Sequence, residues 1–255
     1  MNTLDLDALL VAADRAARAG GEIVRAHFGS PPDVREKAPG DWVTAADLAS
    51  ETAVREVLER ETGLAVFGEE FGGDRADTCW LVDPLDGTAN FLFGLPQWAV
   101  SIAVEDEHGV LAGVVYDPPR GELWAATRDG DATLDGTPLR GSRRDELATA
   151  LVATGFGYDA EVRRAQAATI AALLPEVRDV RRFGAAALDL AWCAAGRFDA
   201  YYERGVKHWD IAAGGLLCER AGLVVETLAP APPQEAGILV AAPALMSLLR
   251  TRVSG

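Results

Sequence analysis

The sequence predicts a layered α+β fold in which helices cover partly antiparallel sheets. Three observations support this prediction. The chain opens with a long segment whose apolar residues recur at helical spacing, its middle part carries three consecutive strand-like segments, and its last part alternates strands with helices. A doubly wound sheet would alternate the two element types throughout, so the antiparallel middle part favours a layered arrangement.

The first part of the chain is predicted to form two helices followed by a sheet. Leu6, Leu9, Leu10 and Ala13 begin a helical pattern that continues to about Gly29. Short polar connections rich in Gly and Pro separate the later strands, which is typical of an antiparallel meander. The other predicted elements are a helix at about Ala45 to Glu61 and strands at Leu64 to Phe67, Cys79 to Val82, Ala99 to Val104, Val110 to Tyr116 and Glu122 to Thr127.

The last part of the chain mixes short strands with helices. The segment from Gly141 to Glu146 is the best candidate linker, so we predict one domain over residues 1–255 with halves at about 1–145 and 146–255. The predicted elements are a strand at Leu151 to Thr154, a helix near Glu161 to Leu174, a strand near Val180, a helix at about Ala185 to Ala195, a strand at Asp199 to Tyr202, a helix at about Ile211 to Ala221, strands near Leu223 to Glu226 and Ile238 to Val240, and a helix after Pro243.

Composition excludes several classes of function. The formal charge is −15, which opposes a phosphate backbone or an anionic lipid surface, so we expect neither nucleic-acid nor membrane binding. Cys79, Cys193 and Cys218 are far apart and form no C-x-x-C pair, which argues against a disulfide framework or a zinc clamp. The first residues lack the basic start of a signal peptide. We therefore expect a cytoplasmic protein.

One segment, residues 80–91, combines the features of an anion and metal site. It reads Trp-Leu-Val-Asp-Pro-Leu-Asp-Gly-Thr-Ala-Asn-Phe, and its apolar start predicts a buried strand that ends at Asp83, before a proline. Asp86 follows three residues later. Gly87 lets the backbone approach a ligand closely, and a helix starting near Thr88 would add free N–H groups. Cations held between these carboxylates and N–H groups would bind phosphate.

Other interpretations of this segment stay open. The Asp-Gly pair is a common turn signal, and an acid in the position of Asp86 is a common helix cap. An EF-hand calcium loop counted from Asp83 lacks the required ligand pattern. The segment also resembles the Asp-x-Asp-Gly-Thr motif of haloacid-dehalogenase-like phosphatases, whose aspartyl nucleophile is an alternative, although the acids here are one residue further apart.

Four segments, in this order, resemble the inositol monophosphatase family. They are Lys37 to Asp47, Phe67 to Glu70, Asp83 to Thr88 with a preceding Trp, and Trp209 to Gly214. Four ordered motifs spanning nearly the whole chain are far more specific than any one. The resemblance implies the layered α/β/α/β/α sandwich of the inositol monophosphatase and fructose-1,6-bisphosphatase type, and hydrolysis of a phosphomonoester by metal-activated water.

The resemblance also implies two or three Mg²⁺ ions per active site. The first would be held by Glu69, Asp83 and the backbone carbonyl of Leu85, and the second by Asp83, Asp86 and Asp210. A third, weaker ion would lie near Glu69. All of these are oxygen donors and no histidine joins them, which suits Mg²⁺ rather than zinc.

Catalysis is expected, by the same resemblance, to involve Thr88, Asp47 and Glu69. Thr88, polarised by Asp47, would orient the attacking water, so no covalent phosphoenzyme is required. Taken singly, each acid has a simpler interpretation. Glu69 suits a surface turn, Asp210 suits the N-cap of a helix that starts at the next residue, and Asp47 suits a capping box with Thr44.

The substrate is expected to contact backbone N–H groups with its phosphate and a carboxylate with its hydroxyls. Glu203 would accept hydrogen bonds from the hydroxyls of a sugar or inositol. Arg181 and Arg182 could face the pocket, solvent or another subunit. The implied substrate-binding residues are Gly87, Thr88, Gly184, Ala185, Ala186, Glu203 and Asp210.

The leading hypothesis is an inositol monophosphatase acting on inositol monophosphate or a similar polyol phosphate, as a lithium-sensitive homodimer. Ala185, Phe93 and Ala89 depart from residues common in the family and leave the alcohol part of the substrate open. The alternatives are fructose-1,6-bisphosphatase, histidinol-phosphatase and 3′-phosphoadenosine nucleotidase activities, and a non-catalytic regulatory binding protein. Trp42, Trp192 and Trp209 are predicted to lie in the core.

Overall fold

The computed structural model describes residues 4–30, 33–38 and 41–254. Local sequence signals set the ends of the first helices. Asp5 caps the first helix through hydrogen bonds from the N–H groups of Asp7 and Ala8, and Gly63 ends the second at a φ of 67°. The N-terminal elements are α1 (Leu6–His27), β1 (Val34–Ala38), β2 (Asp41–Thr44), α2 (Ala45–Thr62), β3 (Ala65–Gly68), β4 (Cys79–Asp86), α3 (Thr88–Leu92), β5 (Ala99–Asp106), β6 (Gly109–Asp117), β7 (Glu122–Thr127), β8 (Thr133–Leu134) and β9 (Thr137–Pro138).

The C-terminal part follows the predicted alternation of strands and helices. Asp159 caps α4 by accepting hydrogen bonds from the N–H groups of Glu161 and Val162. A single 3₁₀ turn, Leu147–Thr149, precedes the first strand. The remaining elements are β10 (Leu151–Thr154), α4 (Ala160–Leu173), β11 (Asp179–Arg181), α5 (Ala186–Ala194), β12 (Ala200–Arg204), α6 (His208–Arg220), β13 (Val224–Leu228), β14 (Gly237–Ala241) and α7 (Pro243–Val253).

Two mixed sheets form the body of the molecule. The larger has the strand order β3-β4-β5-β6-β7-β8-β9, in which only the β3–β4 pair is parallel. The smaller has the order β11-β10-β12-β14-β13, in which β10 pairs in parallel with both of its neighbours and the other pairs are antiparallel. The predicted meander is therefore confirmed as β5, β6 and β7.

The helices and sheets stack in five layers. Helices α1 and α2 pack on one face of the larger sheet, α5 and α6 lie between the two sheets, and α7 with α4 covers the outer face of the smaller sheet. One apolar core fills the space under α1 and α2, and a larger one surrounds α5 and α6. The predicted α/β/α/β/α sandwich is confirmed.

Three local predictions were wrong or incomplete. Strand β4 does not stop at Pro84 but continues to Asp86, with an irregularity in its pairing to β5 between Asp83 and Asp86. Proline has no N–H to donate to the ladder, so the strand bulges there instead of ending. Helix α6 begins at His208, not at Ile211. The β1–β2 hairpin was not predicted, because the side chains of β1 are all exposed and show no apolar alternation.

No helix in the described part of the chain has both the length and the apolar character needed to cross a membrane. The three cysteines are buried and free.

Candidate active site

Three carboxylates from distant parts of the chain meet at one edge of the larger sheet. Glu69, Asp83 and Asp210 each offer an oxygen atom within 4.8 Å of the others. The parallel pairing of β3 with β4 matches Gly68 to Val82, and the N–H of Glu69 donates to the carbonyl of Val82 at 3.0 Å. The sheet register therefore places Glu69 beside Asp83.

Asp210 reaches this point from the first turn of α6. Its Oδ2 accepts a hydrogen bond from the backbone N–H of Lys207 at 2.7 Å, so it stands at the third helical position and not at the N-cap. The hydroxyl of Ser101 on β5 donates to the carbonyl of Trp209 at 3.1 Å. This bond fastens the start of α6 to the larger sheet, next to the strand that carries Asp83.

Burial and mutual repulsion dominate the electrostatics of the cluster. Burial raises the pKa of Asp83 well above its ordinary value, and the nearby carboxylates of Glu69, Asp86 and Asp210 raise it further. Burial, followed by the charge of Asp86, likewise raises the pKa of Asp210. Clustered oxygen donors of this kind fit a hard divalent cation such as Mg²⁺.

Asp86 lies outside that group of three and has a structural task of its own. Its carboxylate accepts hydrogen bonds from the N–H groups of Ala186 at 3.1 Å, Ala187 at 2.8 Å and Leu188 at 3.4 Å, at the start of α5. Burial raises its pKa to about 7, although these hydrogen bonds oppose the shift. The ligand role of Asp86 stays a prediction.

Thr88 and Asp47 form the predicted pair next to the carboxylates. The Thr88 hydroxyl lies 3.2 Å from Asp47 Oδ1 and 3.0 Å from the carbonyl oxygen of Leu85. Asp47 also makes the capping box with Thr44, whose N–H and hydroxyl donate to Oδ2 at 2.9 and 2.5 Å. The capping interpretation and the catalytic one are therefore compatible, because each uses a different oxygen of the same carboxylate.

Asp47 is 1% exposed, and burial raises its pKa to about 6, against the opposing hydrogen bonds from Thr44. A carboxylate with such a pKa is suited to accept a proton near neutral pH.

A cavity of about 380 Å³ opens above these groups. Two predicted site residues, Asp47 and Ala185, do not line the cavity. Asp47 is connected to it through the hydroxyl of Thr88, and Ala185 is buried behind Gly87. Glu203 accepts a hydrogen bond from the Tyr201 hydroxyl at 2.6 Å, which fixes its carboxylate. The predicted residues that line the cavity are Glu69, Asp83, Leu85, Asp86, Gly87, Thr88, Gly184, Ala186, Glu203 and Asp210.

Gly87 occupies the sharp turn between β4 and α3. Its φ is 93°, and a β-carbon there would lie 2.8 Å from the carbonyl oxygen of Gln97. Only glycine fits this position without displacing the backbone.

A comparison of the whole chain with known protein families agrees with this arrangement of acids, threonine and glycine. A profile of the inositol monophosphatase family matches residues 5–254. The chain belongs to the inositol monophosphatase family. The structural similarity extends over the same length: the extragenic suppressor protein suhB from Bartonella henselae superposes with a TM-score of 0.90 and 32% identity, covering 97% of this chain and 99% of that one.

Relatives within the family carry two kinds of name. The Nus factor SuhB of Salmonella typhimurium is 42% identical over 229 residues, which cover 85% of this chain and 84% of that protein. The inositol-1-monophosphatase of Mycobacterium leprae is 41% identical over 238 residues, which cover 88% of this chain and 78% of that protein. The chain is thus about equally similar to relatives named as a factor and as an enzyme.

Two side chains at this inositol monophosphatase-type site, those of Lys37 and Asn90, have contacts that were not predicted. Lys37 Nζ lies 2.7 Å from Glu69 Oε1 and 2.8 Å from Glu70 Oε1. The side-chain amide of Asn90 donates to the carbonyls of Gln97 at 2.8 Å and Phe183 at 2.7 Å, joining α3 to the loop before α5. The contacts of Lys37 with Glu69 and of Asn90 with Phe183 link residues far apart in sequence, so no local pattern indicates them.

The lining of the cavity also shows where the two adjacent arginines and two of the tryptophans lie. Arg182 lines the cavity, whereas Arg181 pairs with Asp179 at 2.6 Å. The prediction that Trp42 lies in the core was wrong. Its half-buried ring lines the cavity, with its centroid 6.4 Å from that of the exposed Phe93. Trp209 packs against the core but also lines the cavity.

Proposed function

We propose that this member of the inositol monophosphatase family is a Mg²⁺-dependent phosphomonoesterase acting on inositol monophosphate or a similar small polyol or sugar phosphate. One observation carries the proposal: the clustered oxygens of Glu69, Asp83 and Asp210 share a cavity with the hydroxyl of Thr88.

The donor set fits the divalent cations that the family generally uses. Glu69, Asp83 and the carbonyl of Leu85 would hold one Mg²⁺, and Asp83, Asp86 and Asp210 a second. When bound, such ions lower the pKa of water and neutralise charge on the phosphoryl group. The raised pKa values of the buried acids support this assignment, because a cation would relieve their repulsion.

Thr88 and Asp47 would orient and deprotonate the attacking water. A hydroxyl has one hydrogen, which Thr88 donates towards Asp47 Oδ1 or the carbonyl of Leu85, and its oxygen remains free to accept a hydrogen bond from water. The Asp47 carboxylate, with a pKa of about 6, would then receive the proton through Thr88.

The remaining groups would hold the substrate. The N–H groups of Gly87, which precedes α3, and of Thr88, its first residue, would contact the phosphate, since they lack partners within the helix. Glu203, held by Tyr201, would accept hydrogen bonds from the alcohol's hydroxyls. Gly155 leaves the space for this carboxylate, because a β-carbon there would lie 2.0 Å from Glu203 Oε2.

Phosphate release from a panel of substrates tests the proposal. The panel contains inositol monophosphates, fructose bisphosphate, histidinol phosphate and adenosine bisphosphate, each with Mg²⁺ and with chelator. We expect Mg²⁺-dependent turnover of a polyol phosphate, loss in Asp83→Asn, and normal turnover in the control Asp14→Asn, whose partly exposed side chain lies on α1 outside the cavity. Turnover that persists in chelator, or in Asp83→Asn, would contradict the mechanism.

The relatives named Nus factor SuhB favour a second candidate, in which the chain serves as a factor that binds other macromolecules. A charge of −15 then favours contact with protein rather than with nucleic acid. Asp83→Asn separates the two candidates. A factor role would survive the loss of this carboxylate, whereas phosphatase activity would not.

Family membership alone supports three further parts of the proposal: a homodimer, inhibition by lithium, and a cytoplasmic location, with which the three free cysteines agree. Sedimentation measures the first, and phosphate release in millimolar lithium measures the second. A monomer, or activity unchanged by lithium, would contradict the corresponding part.

A further inference from the structure

Helix α2 carries a second buried carboxylate that the proposed chemistry does not use. Glu51 lies one turn after Asp47 on the same inward face of α2, and its side chain is 0% exposed. A buried carboxylate is costly unless hydrogen bonds and a counter-charge compensate it. The partners of Glu51 therefore indicate what the residue does.

Those partners belong to the turn that carries Glu69. Glu51 Oε2 accepts a hydrogen bond from the N–H of Glu70 at 2.8 Å, and Oε1 accepts one from the N–H of Phe71 at 3.3 Å. These are the two backbone groups that directly follow Glu69. The carboxylate thus fixes the backbone on one side of Glu69, while β3 fixes it on the other.

Arg55, one turn further along α2, completes the attachment. Its Nε donates to Glu51 Oε1 at 2.8 Å, which supplies the counter-charge. Its Nη1 donates to the carbonyl of Val66 on β3 at 3.0 Å, and its Nη2 donates to the carbonyl of Gly72. The planar guanidinium therefore binds both ends of the turn at once.

Gly68 shows how closely the turn packs against this pair. A β-carbon on Gly68 would lie 2.1 Å from Glu51 Oε1, a distance that no real contact allows. The backbone also closes on itself there, since Gly68 and Gly72 exchange N–H to carbonyl hydrogen bonds of 2.9 and 3.0 Å. The turn is thus seated on the Glu51 carboxylate.

From these contacts we infer that Glu51 and Arg55 are positioning residues, which hold the Glu69 carboxylate at the right distance from Asp83 and Asp210 for a divalent cation. The inference rests on the metal site of the proposed function. It requires no contact between Glu51 or Arg55 and the cation or the substrate.

Substitution of Glu51 tests the inference through metal binding itself. Glu51→Gln keeps the size of the side chain but replaces one acceptor oxygen with a donor that faces the N–H groups of the turn. We expect the dissociation constant for Mn²⁺, measured by electron paramagnetic resonance without substrate, to rise by about 10- to 100-fold, as for other groups that orient metal ligands. Glu56→Gln removes the same charge from the exposed face of α2 and should leave Mn²⁺ binding unchanged.

A second pair of variants keeps the test decisive if Glu51→Gln does not fold. Arg55→Lys retains the positive charge but loses the planar guanidinium that donates to Glu51, Val66 and Gly72 at once. Gly68→Ala adds a β-carbon that pushes the turn away from Glu51. Both should weaken Mn²⁺ binding, while circular dichroism confirms that they fold. Folded variants of Glu51, Arg55 and Gly68 that all bind Mn²⁺ within twofold of wild type would overturn the inference.

The Mn²⁺ measurement also separates this inference from the proposed function. A wild-type protein that binds Mn²⁺ but hydrolyses no substrate would refute the phosphatase proposal, and the variants would still decide the role of Glu51. A wild-type protein that binds no Mn²⁺ would overturn both.

Discussion

Replacing Asp83 with Asn should stabilise the metal-free protein while abolishing its response to Mg²⁺. In the absence of a cation, the Asp83 carboxylate is 2% exposed and lies within 4.8 Å of two other acids. At an effective dielectric constant of about 20, two unit charges at that 4.8 Å limit repel by about 3 kcal/mol. Asn keeps the Oδ1 acceptor that receives the N–H of Leu85 but carries no charge.

The size of the two effects follows from this repulsion and from mass action. Because Asp83 escapes part of the repulsion by holding a proton, we expect Asp83→Asn to raise the free energy of unfolding by about 2 kcal/mol in chelator at pH 8. For a chain of this size, 2 kcal/mol corresponds to roughly 4 to 8 °C in Tm. Mg²⁺ at about 100 times its Kd should stabilise wild type by about 2.7 kcal/mol, or roughly 5 to 10 °C.

Thermal unfolding followed by circular dichroism measures both effects. Wild type, Asp83→Asn and the control Asp14→Asn are melted in chelator and in increasing Mg²⁺. Asp14→Asn should follow wild type throughout, because the Asp14 side chain is partly exposed on α1 and its ion pair with Arg18, one turn away, is a weak surface pair. An Asp83→Asn variant that melts below wild type in chelator, or that keeps the full Mg²⁺ response, would refute the repulsion and the ligand role assigned to Asp83.

The same cluster gives the stability of the metal-free protein a definite pH dependence. The folded pKa of Asp86 is about 7, above the ordinary value of 3.8, and those of Asp83 and Asp210 are also raised. The native state therefore binds more protons than the unfolded state between these values, so the stability that these three groups contribute is fully present below about pH 4 and is lost as the pH rises through about 7. Mg²⁺ should remove most of this fall, and a Tm in chelator that rises from pH 5 to pH 8 would contradict the account.

Three further predictions concern single side chains. Thr88→Ala should lower kcat by about 10²-fold with little change in KM, because it removes the group that orients water, and steady-state kinetics at saturating Mg²⁺ measures this. The rate should fall below a pH of about 6 as Asp47 takes up a proton. Thr44→Val should move this limb of the pH–rate profile to higher pH, since it removes the Thr44 hydroxyl, whose hydrogen bond lowers the pKa of Asp47. Asp199→Ala should lower the free energy of unfolding by about 2 kcal/mol in urea, with normal turnover, because its carboxylate binds Arg144 at 3.0 Å and the N–H of Leu151 at 2.7 Å outside the cavity.

Most of the secondary structure was predictable because its signals are local. Apolar residues at helical spacing indicated α1, and apolar strands between turn residues indicated the meander of β5, β6 and β7. The elements that escaped prediction are polar or very short. The strand Val34–Ala38 is wholly exposed, and β8 and β9 have only two residues each. None of these three strands therefore shows an alternation of apolar and polar residues in the sequence.

The residues of the candidate site also divide into those that a local sequence signal indicated and those that it did not. The segment that contains Asp83, Asp86 and Thr88 was found because its turn, glycine and acids are consecutive in sequence. Glu51 was missed although a signal existed: it falls on the same face of α2 as Val54 and Leu58, and both of these are fully buried. An acid in phase with buried apolar residues is unusual enough to indicate a hydrogen-bonded role in the interior.

The sequence by itself determined which residue types could bind a cation and activate water, and which stretches would form helices and strands. Only the tertiary structure decided that Glu69, Asp83 and Asp210 would meet, that Asp86 would hold the start of α5, and that Glu51 would seat the turn of Glu69. The reason is physical. Periodicity and capping act within a few residues of the chain, whereas the register of β3 on β4 and the packing of α2 and α6 on the larger sheet bring together groups up to about 140 positions apart.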